Sequence, residues 1–212
     1  MTLLTDEADA RDWISTLPGV SRETMERLEV FAALLTEENA RQNLVAASTL
    51  GSALWGRHIA DSAQLLPLAP SAGDRWVDLG SGPGLPGLVI AILAPQWKMT
   101  LVESRRLRCD FLRTAIVKLG LDTQVTVAQQ RVEAHREGRY NVISARAFAP
   151  LPTLLATATH LSQKSTVWLL PKGKNAVNEL STLPQAWQKL FHVEPSRTDS
   201  DARILVGSGS FA

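Results

Sequence analysis

The segment 78–87 constrains what this chain can fold into more than any other feature. It reads Asp-Leu-Gly-Ser-Gly-Pro-Gly-Leu-Pro-Gly, starts at the end of the apolar run 76–79 and precedes an apolar, helix-like stretch at 88–94. Glycine permits positive φ angles and a close approach of a ligand to the backbone, and Pro86 suits the first turn of the following helix. The segment therefore predicts a strand, a loop around a ligand, and a helix.

A carboxylate at position 103 indicates what kind of ligand the loop binds. Glu103 ends the next apolar run, 99–102, and lies 23 positions after Gly80. A separation of about 20 residues is typical of the carboxylate that binds ribose hydroxyls beside a glycine-rich loop. Loop and carboxylate together predict a cofactor that contains adenosine.

Two classes of adenosine cofactor fit the loop. Residues 82–87 satisfy the dinucleotide pattern G-x-G-x-x-G, but two prolines there remove amide donors that a pyrophosphate would use. S-adenosylmethionine has no phosphate, and its amine and sulfonium are cationic, so the Asp78 carboxylate at the strand end suits it better. The loop favours the methyl donor, and by itself leaves both classes open.

Composition and charge predict a globular, cytoplasmic protein. Hydrophobic residues make up 45% of the chain and charged ones 20%, and no apolar run approaches the roughly 20 residues of a membrane span. The N-terminus turns acidic after four residues, unlike a signal peptide. The net charge of +1 is modest for a protein that only coats nucleic acid. The single cysteine, Cys109, lies in a charged helical stretch and is interpreted as structural.

The first seventy residues show a helical pattern. It predicts a short amphipathic, turn-rich segment at 6–15 and a helix capped by Ser21 that carries apolar residues, Val30 among them, at mixed helical spacing. A further helix is predicted from about 52 to 66, ending at Pro67. The composition of 67–74 is typical of a linker. We therefore predict a helical N-terminal extension over 1–70 and a second unit over 71–212.

From residue 75 onward, predicted strands and helices alternate, which indicates a parallel sheet. The last two predicted strands, 191–195 and 202–206, are too close in sequence for a crossover helix, so they must be antiparallel. The pattern predicts an α/β fold of class I S-adenosylmethionine-dependent methyltransferases: a Rossmann-like seven-stranded sheet with its last strands antiparallel.

The residues after the fourth predicted strand, Ser-Ala-Arg-Ala-Phe at 144–148, should face the ligand. They include neither the proline-rich turn typical of exocyclic-amine methyltransferases nor the cysteine nucleophile of C5-pyrimidine enzymes. Arg146 stays protonated and cannot be a base, so the acceptor should be nucleophilic without losing a proton. Guanine N7 is such an acceptor, and arginine pairs well with that edge of the base. Alternatively, Arg146 forms a salt bridge to Glu103 or Glu133.

With these residues identified, the chain resembles the RsmG (GidB) family, bacterial methyltransferases that act on guanine N7 in small-subunit (16S) ribosomal RNA. The resemblance implies that the partner is 16S RNA, the small ribosomal subunit or an assembly intermediate, with in-line methyl transfer and no general base. A monomer without a metal or a membrane contact is expected. The segments that carry the resemblance are 43–44, 57–59, 61–62, 78–87, 103–104, 111–113, 131–133, 144, 146–148 and 172–173.

The resemblance also implies site residues. Arg146 lies beside the cofactor and is the one expected catalytic residue, acting by positioning. Glu103 is expected on the ribose, and Val132 with Glu133 on the adenine, although Glu133 could simply stabilise a helix start. The cofactor-binding residues expected are Asp78, Gly80, Gly82, Leu85, Glu103, Val132, Glu133 and Arg146. The RNA-facing residues expected are Arg57, His58, Arg106, Arg108 and Lys172.

Other functions remain open on the sequence. A methyltransferase of a small molecule or a protein could use the helical prefix as a lid over an apolar pocket. A noncatalytic ribosome-assembly factor could retain the same fold. A dinucleotide-dependent dehydrogenase is the remaining alternative.

Overall fold

The computed structural model describes residues 3–211 and centres on one seven-stranded sheet. The strand order is β3-β2-β1-β4-β5-β7-β6; neighbouring strands are parallel up to β5, and β7 is antiparallel to both β5 and β6. The predicted class I methyltransferase architecture, including the antiparallel final hairpin, is confirmed. The strands are β1 (Arg75–Leu79), β2 (Lys98–Glu103), β3 (Val125–Gln129), β4 (Val142–Ser144), β5 (Val167–Lys172), β6 (Phe191–Pro195) and β7 (Arg203–Ser208).

Helices cover both faces of the sheet. The α-helices are α1 (Glu7–Ser15), α2 (Arg22–Gln42), α3 (Asp61–Ala63), α4 (Gly87–Leu93), α5 (Arg106–Leu119), α6 (Leu151–Ala158), α7 (Ala176–Ser181) and α8 (Gln185–Gln188). Short 3-10 turns span Ala47–Thr49, Gly51–Ala53, Leu66–Leu68, Val132–Ala134 and Thr159–Leu161, and a π-helical turn spans Trp55–Ala60.

The N-terminal helices begin where side-chain caps predict. The Ser21 hydroxyl accepts a hydrogen bond from the Thr24 N–H at 3.3 Å, and Thr24 Oγ1 accepts one from the Ser21 N–H at 3.3 Å. This reciprocal pair satisfies backbone donors that the first turn of α2 leaves without helical partners. Asp6 caps α1 in the same way, by accepting from the Asp9 N–H at 2.9 Å.

The helix predicted over 52–66 is present as a helical segment, but it is not a regular α-helix. The chain instead forms a 3-10 turn, the π turn, the single turn α3 and another 3-10 turn that contains Pro67. Trp55, His58 and Ile59 of the π turn are all buried, so tertiary packing accompanies the departure from a regular α-helix here. π turns are frequent at functional sites, and this one carries Arg57 and His58.

The N-terminal helices pack on the sheet face covered by α4 and α5. Buried side chains of α1 and α2, including Ile14 and Phe31, join those of α4 and α5, including Ile90 and Leu112, in one core. Burying one such side chain stabilises a fold by about 1.5–3 kcal/mol, so this packing holds the N-terminal segment firmly against the sheet. The boundary predicted at residue 70 falls just before β1, and residues from both sides of it share this core.

Candidate active site

The glycine loop joins β1 to α4 and turns at the carboxyl edge of the sheet. Gly80 has φ +65°, and a Cβ atom built on it would lie 2.5 Å from Cδ2 of Phe148. The N–H groups of Gly80 and Ser81 donate to the Val102 carbonyl at 2.8 and 3.1 Å, which ties the loop to β2. Position 80 therefore requires glycine both for its backbone angle and for its close contact with Phe148.

Asp78 lies beneath this loop and is fully buried. Its carboxylate accepts from the Ser144 hydroxyl at 2.8 Å and from the Gly87 N–H at 3.3 Å. Burial raises the pKa of Asp78 to about 6, although these hydrogen bonds oppose the shift. The structure thus brings Asp78 to the loop, where it joins β1 to β4 and α4, but the carboxyl group lines neither of the cavities described next.

Two cavities meet at the carboxyl edge of the sheet. The small cavity, of about 310 Å³, is lined by Glu103, Val132 and Glu133 among others. The large cavity, of about 740 Å³, extends over the other side of the loop towards the N-terminal segment and the β6–β7 connection. The residues that line both cavities are Gly80, Arg108, Ala147 and Phe148.

Four predicted cofactor residues line the small cavity, namely Gly80, Glu103, Val132 and Glu133. Glu103, at the end of β2, accepts from the Gly82 N–H at 3.0 Å and from the Arg105 N–H at 2.8 Å. Val132 and Glu133 lie on the turn after β3, with Val132 buried and the Glu133 side chain about half exposed. Leu85, by contrast, lines the large cavity. The structure therefore brings Glu103, Val132 and Glu133 together.

A buried hydrogen-bond chain holds the turn that carries Val132 and Glu133. Gln130 Nε2 donates to His135 Nδ1 at 2.7 Å, His135 Nε2 donates to the Tyr140 hydroxyl at 2.7 Å, and that hydroxyl donates to Thr100 Oγ1 at 3.3 Å. This direction requires a neutral imidazole, and burial lowers the pKa of His135. These residues were not predicted from the sequence, because they show no recognisable spacing.

Arg146 projects into the large cavity from the loop after β4. Its Nη1, which carries two N–H donors, lies 3.1 Å from Asp61 Oδ2, 3.3 Å from the Arg57 carbonyl oxygen and 3.5 Å from His58 Nδ1, which share these donors. The alternative of a salt bridge to Glu103 or Glu133 is wrong, because the N-terminal segment brings Asp61 to Arg146 from 85 positions away in sequence.

Asp61 is held from three directions. Besides Arg146, its carboxylate accepts from the Thr198 hydroxyl and from Gln64 Nε2, each at 2.9 Å. Gln64 Oε1 in turn accepts from the Arg197 N–H at 2.8 Å, so the β6–β7 connection is anchored to the N-terminal segment. In the sequence, Asp61 belongs to a segment that carries the family resemblance, but no role was predicted for it.

His58 is nearly buried beside Arg146, with 7% of its surface exposed. Since an arginine can only donate, His58 Nδ1 must accept from Arg146, and Nε2 then donates to the Thr49 hydroxyl at 2.7 Å. Burial, followed by the charges of Arg146 and Arg57, lowers the pKa of His58 to about 4. The imidazole is therefore neutral at neutral pH.

The remaining predicted RNA-facing residues divide into two groups. Arg57, Arg108 and Lys172 line the large cavity, and each lies beside a carboxylate: Asp199 at 2.9 Å, Glu103 at 3.7 Å and Glu179 at 2.8 Å, respectively. Arg106 is exposed on α5 and lines neither cavity. The structure thus places three of these cations at the cavity and leaves Arg106 outside it.

Metal-binding clusters and membrane spans are not found among residues 3–211. Within this range no three His, Cys, Asp or Glu side chains are grouped in a way that could hold a metal ion. None of the helices described there is both long and apolar enough to span a membrane.

Solved structures share this fold at low sequence identity. Cofactor-bound Rv0187 from MTB aligns with a TM-score of 0.61 and 14% identity, over 94% of this chain and 96% of that chain. The mitomycin 7-O-methyltransferase MmcR aligns with a TM-score of 0.59 and 10% identity, over 96% and 72% of the two chains. At these identities the similarity concerns the fold alone.

Sequence relatives are much more similar. A ribosomal RNA small subunit methyltransferase G from Sphingopyxis alaskensis is 54% identical over 211 residues, which cover 99% of this chain and 89% of the relative. A protein of the same name from Jannaschia sp. is 46% identical, over 97% of each chain. The family model for GidB, rRNA small subunit methyltransferase G, matches residues 24–202. The chain therefore belongs to the GidB family of small-subunit ribosomal RNA methyltransferases.

Proposed function

We propose that this protein transfers the methyl group of S-adenosylmethionine to N7 of a guanine in 16S ribosomal RNA, without a general base. The observation that carries the proposal is the meeting of the two cavities at Gly80 and Phe148, with Arg146 in the large cavity. One cavity suits a nucleoside and the other is large enough for an extruded base. Membership in a family of ribosomal RNA methyltransferases supports the assignment.

The residues at the small cavity fit the adenosine part of the cofactor. Its volume of about 310 Å³ lies at the lower end of ligand sites, roughly 300–1,000 Å³. Glu103 would bind the ribose hydroxyls with the lone pairs that its two backbone hydrogen bonds leave free. Glu133 and the backbone at Val132 would bind the adenine edge.

The glycine loop would hold the methionine part of the cofactor. Gly80 and Gly82 both have positive φ angles and carry no Cβ, so their backbone can approach a ligand closely. Leu85 lines the large cavity from the same loop. Asp78, which is buried, would act as a positioning residue, because its carboxylate holds the loop at Gly87 and holds β4 at Ser144.

When bound, S-adenosylmethionine supplies a methyl group that its positive sulfur makes electrophilic. The guanine N7 lone pair forms the new bond to the methyl carbon as the carbon–sulfur bond breaks, and the positive charge passes to the purine. N7 loses no proton, so the protein needs no base. Arg146 would donate to the guanine O6 and hold N7 in line with the methyl group, and such positioning is worth at most about 7–11 kcal/mol.

The basic residues of the large cavity would bind RNA phosphates. Arg57 and Lys172 each pair with a carboxylate in this structure, and a phosphate would compete for the same donors. Arg108, which lines both cavities, would do the same near the cofactor. We further propose that the protein acts as a monomer in the cytoplasm, on 16S RNA alone, within the small subunit or within an assembly intermediate.

Methyl transfer by the purified protein tests this proposal. Small subunits and protein-free 16S RNA from cells that lack the gene are incubated with isotope-labelled S-adenosylmethionine, and the nucleosides are separated by mass spectrometry. We expect labelled 7-methylguanosine with the wild type, and a loss of at least about 100-fold with Arg146→Ala. Arg22→Ala, at an 89% exposed position on α2, is the matched control and should retain activity. Label in another nucleoside, or full turnover by Arg146→Ala, would contradict the proposal.

A further inference from the structure

Asp61 is a carboxylate of the large cavity, next to Arg146, to which the proposed mechanism gives no function. Its Oδ2 lies 3.1 Å from Arg146 Nη1, and each of the two side chains is 18% exposed. A carboxylate and a guanidinium therefore lie side by side in the lining of the cavity expected to receive the base.

An adjacent donor and acceptor match guanine and oppose adenine. On its Watson–Crick edge guanine presents the O6 acceptor next to the N1–H donor, whereas adenine presents the N6 amino donor next to the N1 acceptor. We propose that Asp61 accepts the N1–H of the target guanine while Arg146 donates to O6, so that this pair selects the base. With adenine, the Arg146 donor would face the N6 amino donor, and the Asp61 acceptor would face the N1 acceptor. Such unfavourable pairs are an effective means of excluding a wrong substrate.

The carboxylate is already fixed in position and keeps an acceptor site free. Oδ1 accepts from both Thr198 and Gln64, at 2.9 Å each, which occupies its two lone pairs. Oδ2 accepts only from Arg146 among the described residues, so one of its lone pairs remains for a base. Because Thr198 and Gln64 hold the group from two separate segments, little rearrangement would be needed on binding.

The same contact would accelerate methyl transfer. The reaction gives the purine a full positive charge, which makes N1–H more acidic and strengthens its hydrogen bond to a carboxylate. Interactions that are stronger in the transition state than in the ground state raise kcat. A charge on Asp61, whose side chain is only 18% exposed, would therefore stabilise the positive charge as it forms.

The inference rests on the proposed function and is tested by Asp61→Asn, which keeps the shape and one acceptor but removes the charge. We expect kcat on unmethylated small subunits to fall by about 10- to 100-fold. The Kd for S-adenosylhomocysteine, measured by calorimetry, should change less than about twofold, which also shows that the variant folds. Asp201→Asn removes the same charge from an exposed position in the β6–β7 connection and should retain the wild-type kcat.

A second measurement reports on base selection directly. With S-adenosylhomocysteine saturating the cofactor site, the wild type should bind guanosine monophosphate at least about fivefold more tightly than adenosine monophosphate. Asp61→Asn should lose that preference. Thr198→Val keeps the charge and removes one of the bonds that orient Asp61, so a smaller loss, of about two- to fivefold in kcat, is expected.

The outcomes separate the inference from the proposed function. If the wild type forms no 7-methylguanosine, the proposed function fails and the role of Asp61 fails with it. If the wild type forms it but Asp61→Asn retains both kcat and the guanosine preference, only the inference is overturned. An equal loss of S-adenosylhomocysteine binding and kcat in Asp61→Asn would also overturn it, because it would indicate a purely structural role.

Discussion

Acidification should destabilise the fold through His58, and the variant His58→Gln isolates this effect. In the folded protein, burial and the nearby charges of Arg146 and Arg57 lower the pKa of His58 from 6.5 to about 4. In the unfolded chain the imidazole is expected to titrate near 6.5. Between pH 4 and 6.5 the unfolded state therefore binds more protons than the folded state. The contribution of His58 to the free energy of unfolding is complete above pH 6.5 and is lost as the pH falls towards 4.

The size of the effect follows from the two pKa values of His58. A pH of 5 is about 1.5 units below the pKa of the imidazole in the unfolded chain, so that imidazole is protonated, whereas the imidazole in the folded protein is still mostly neutral. At about 1.36 kcal/mol per unit, the loss between pH 7.5 and 5 is about 2 kcal/mol at most. Asp78 has the opposite effect: its pKa is raised to about 6, so its contribution becomes more favourable on acidification. The wild-type curve alone therefore mixes two opposing contributions.

Urea unfolding at pH 7.5, 6 and 5 measures the difference between the two proteins, with the fluorescence of the six tryptophans as signal. The glutamine side chain of the variant can still donate to Thr49 but does not titrate. We expect the wild type to lose about 1–2 kcal/mol relative to His58→Gln between pH 7.5 and 5. His192→Gln, at an exposed position, is the matched control and should follow the wild type. Parallel curves for the wild type and His58→Gln would refute the reasoning.

Three further predictions concern binding. Gly80→Ala should weaken S-adenosylmethionine binding by at least about tenfold in calorimetry, because the added Cβ displaces Phe148. Gly120→Ala is the control: Gly120 has φ +66° and open space around it, so the variant bears the same backbone strain of about 1–2 kcal/mol and should bind the cofactor normally. Tyr140→Phe removes the hydroxyl that supports the turn at the small cavity, and we expect about a three- to tenfold rise in Kd without loss of fold. Arg57→Gln should lower the slope of log binding constant against log salt concentration for RNA by the amount expected for about one phosphate contact. An unchanged slope would indicate that Arg57 does not contact the RNA.

The architecture could be predicted from the sequence because its signals are local. The alternation of apolar runs from residue 75 onward sets the strands, and the short stretch between 195 and 202 allows only a hairpin. Ser21 and Thr24, only three positions apart, form the capping box that marks the start of α2. Val30, one of the apolar residues at helical spacing in α2, is 44% exposed, so the buried face of the helix is narrower than the pattern indicates.

The small-cavity side of the candidate site was partly predictable for the same reason. Gly80 and Glu103 belong to one strand–loop–helix–strand unit, so their spacing alone indicates that they meet. Asp78 shows the limit of such patterns: its position at the strand end is as expected, but burial of its carboxyl group depends on Ser144 in β4. No local signal predicts that contact.

The large-cavity side depends on contacts between distant segments. Asp61 meets Arg146 across 85 positions, and it meets Thr198 across 137. Neither pairing produces a periodic pattern, since each depends on how the N-terminal segment and the β6–β7 connection pack at the sheet edge. The sequence therefore indicated that Arg146 faces a ligand but could not identify the carboxylate beside it.

Methylation of guanine N7 in 16S ribosomal RNA is the activity on which every other proposal for this protein depends. Its most direct test is the 7-methylguanosine content of 16S RNA from cells with the gene, without it, and without it but carrying the Arg146→Ala variant, measured by mass spectrometry of RNA fragments. We expect one 7-methylguanosine to be present with the gene, lost on deletion and not restored by the variant. Identical 7-methylguanosine content in the presence and absence of the gene would contradict the proposed activity.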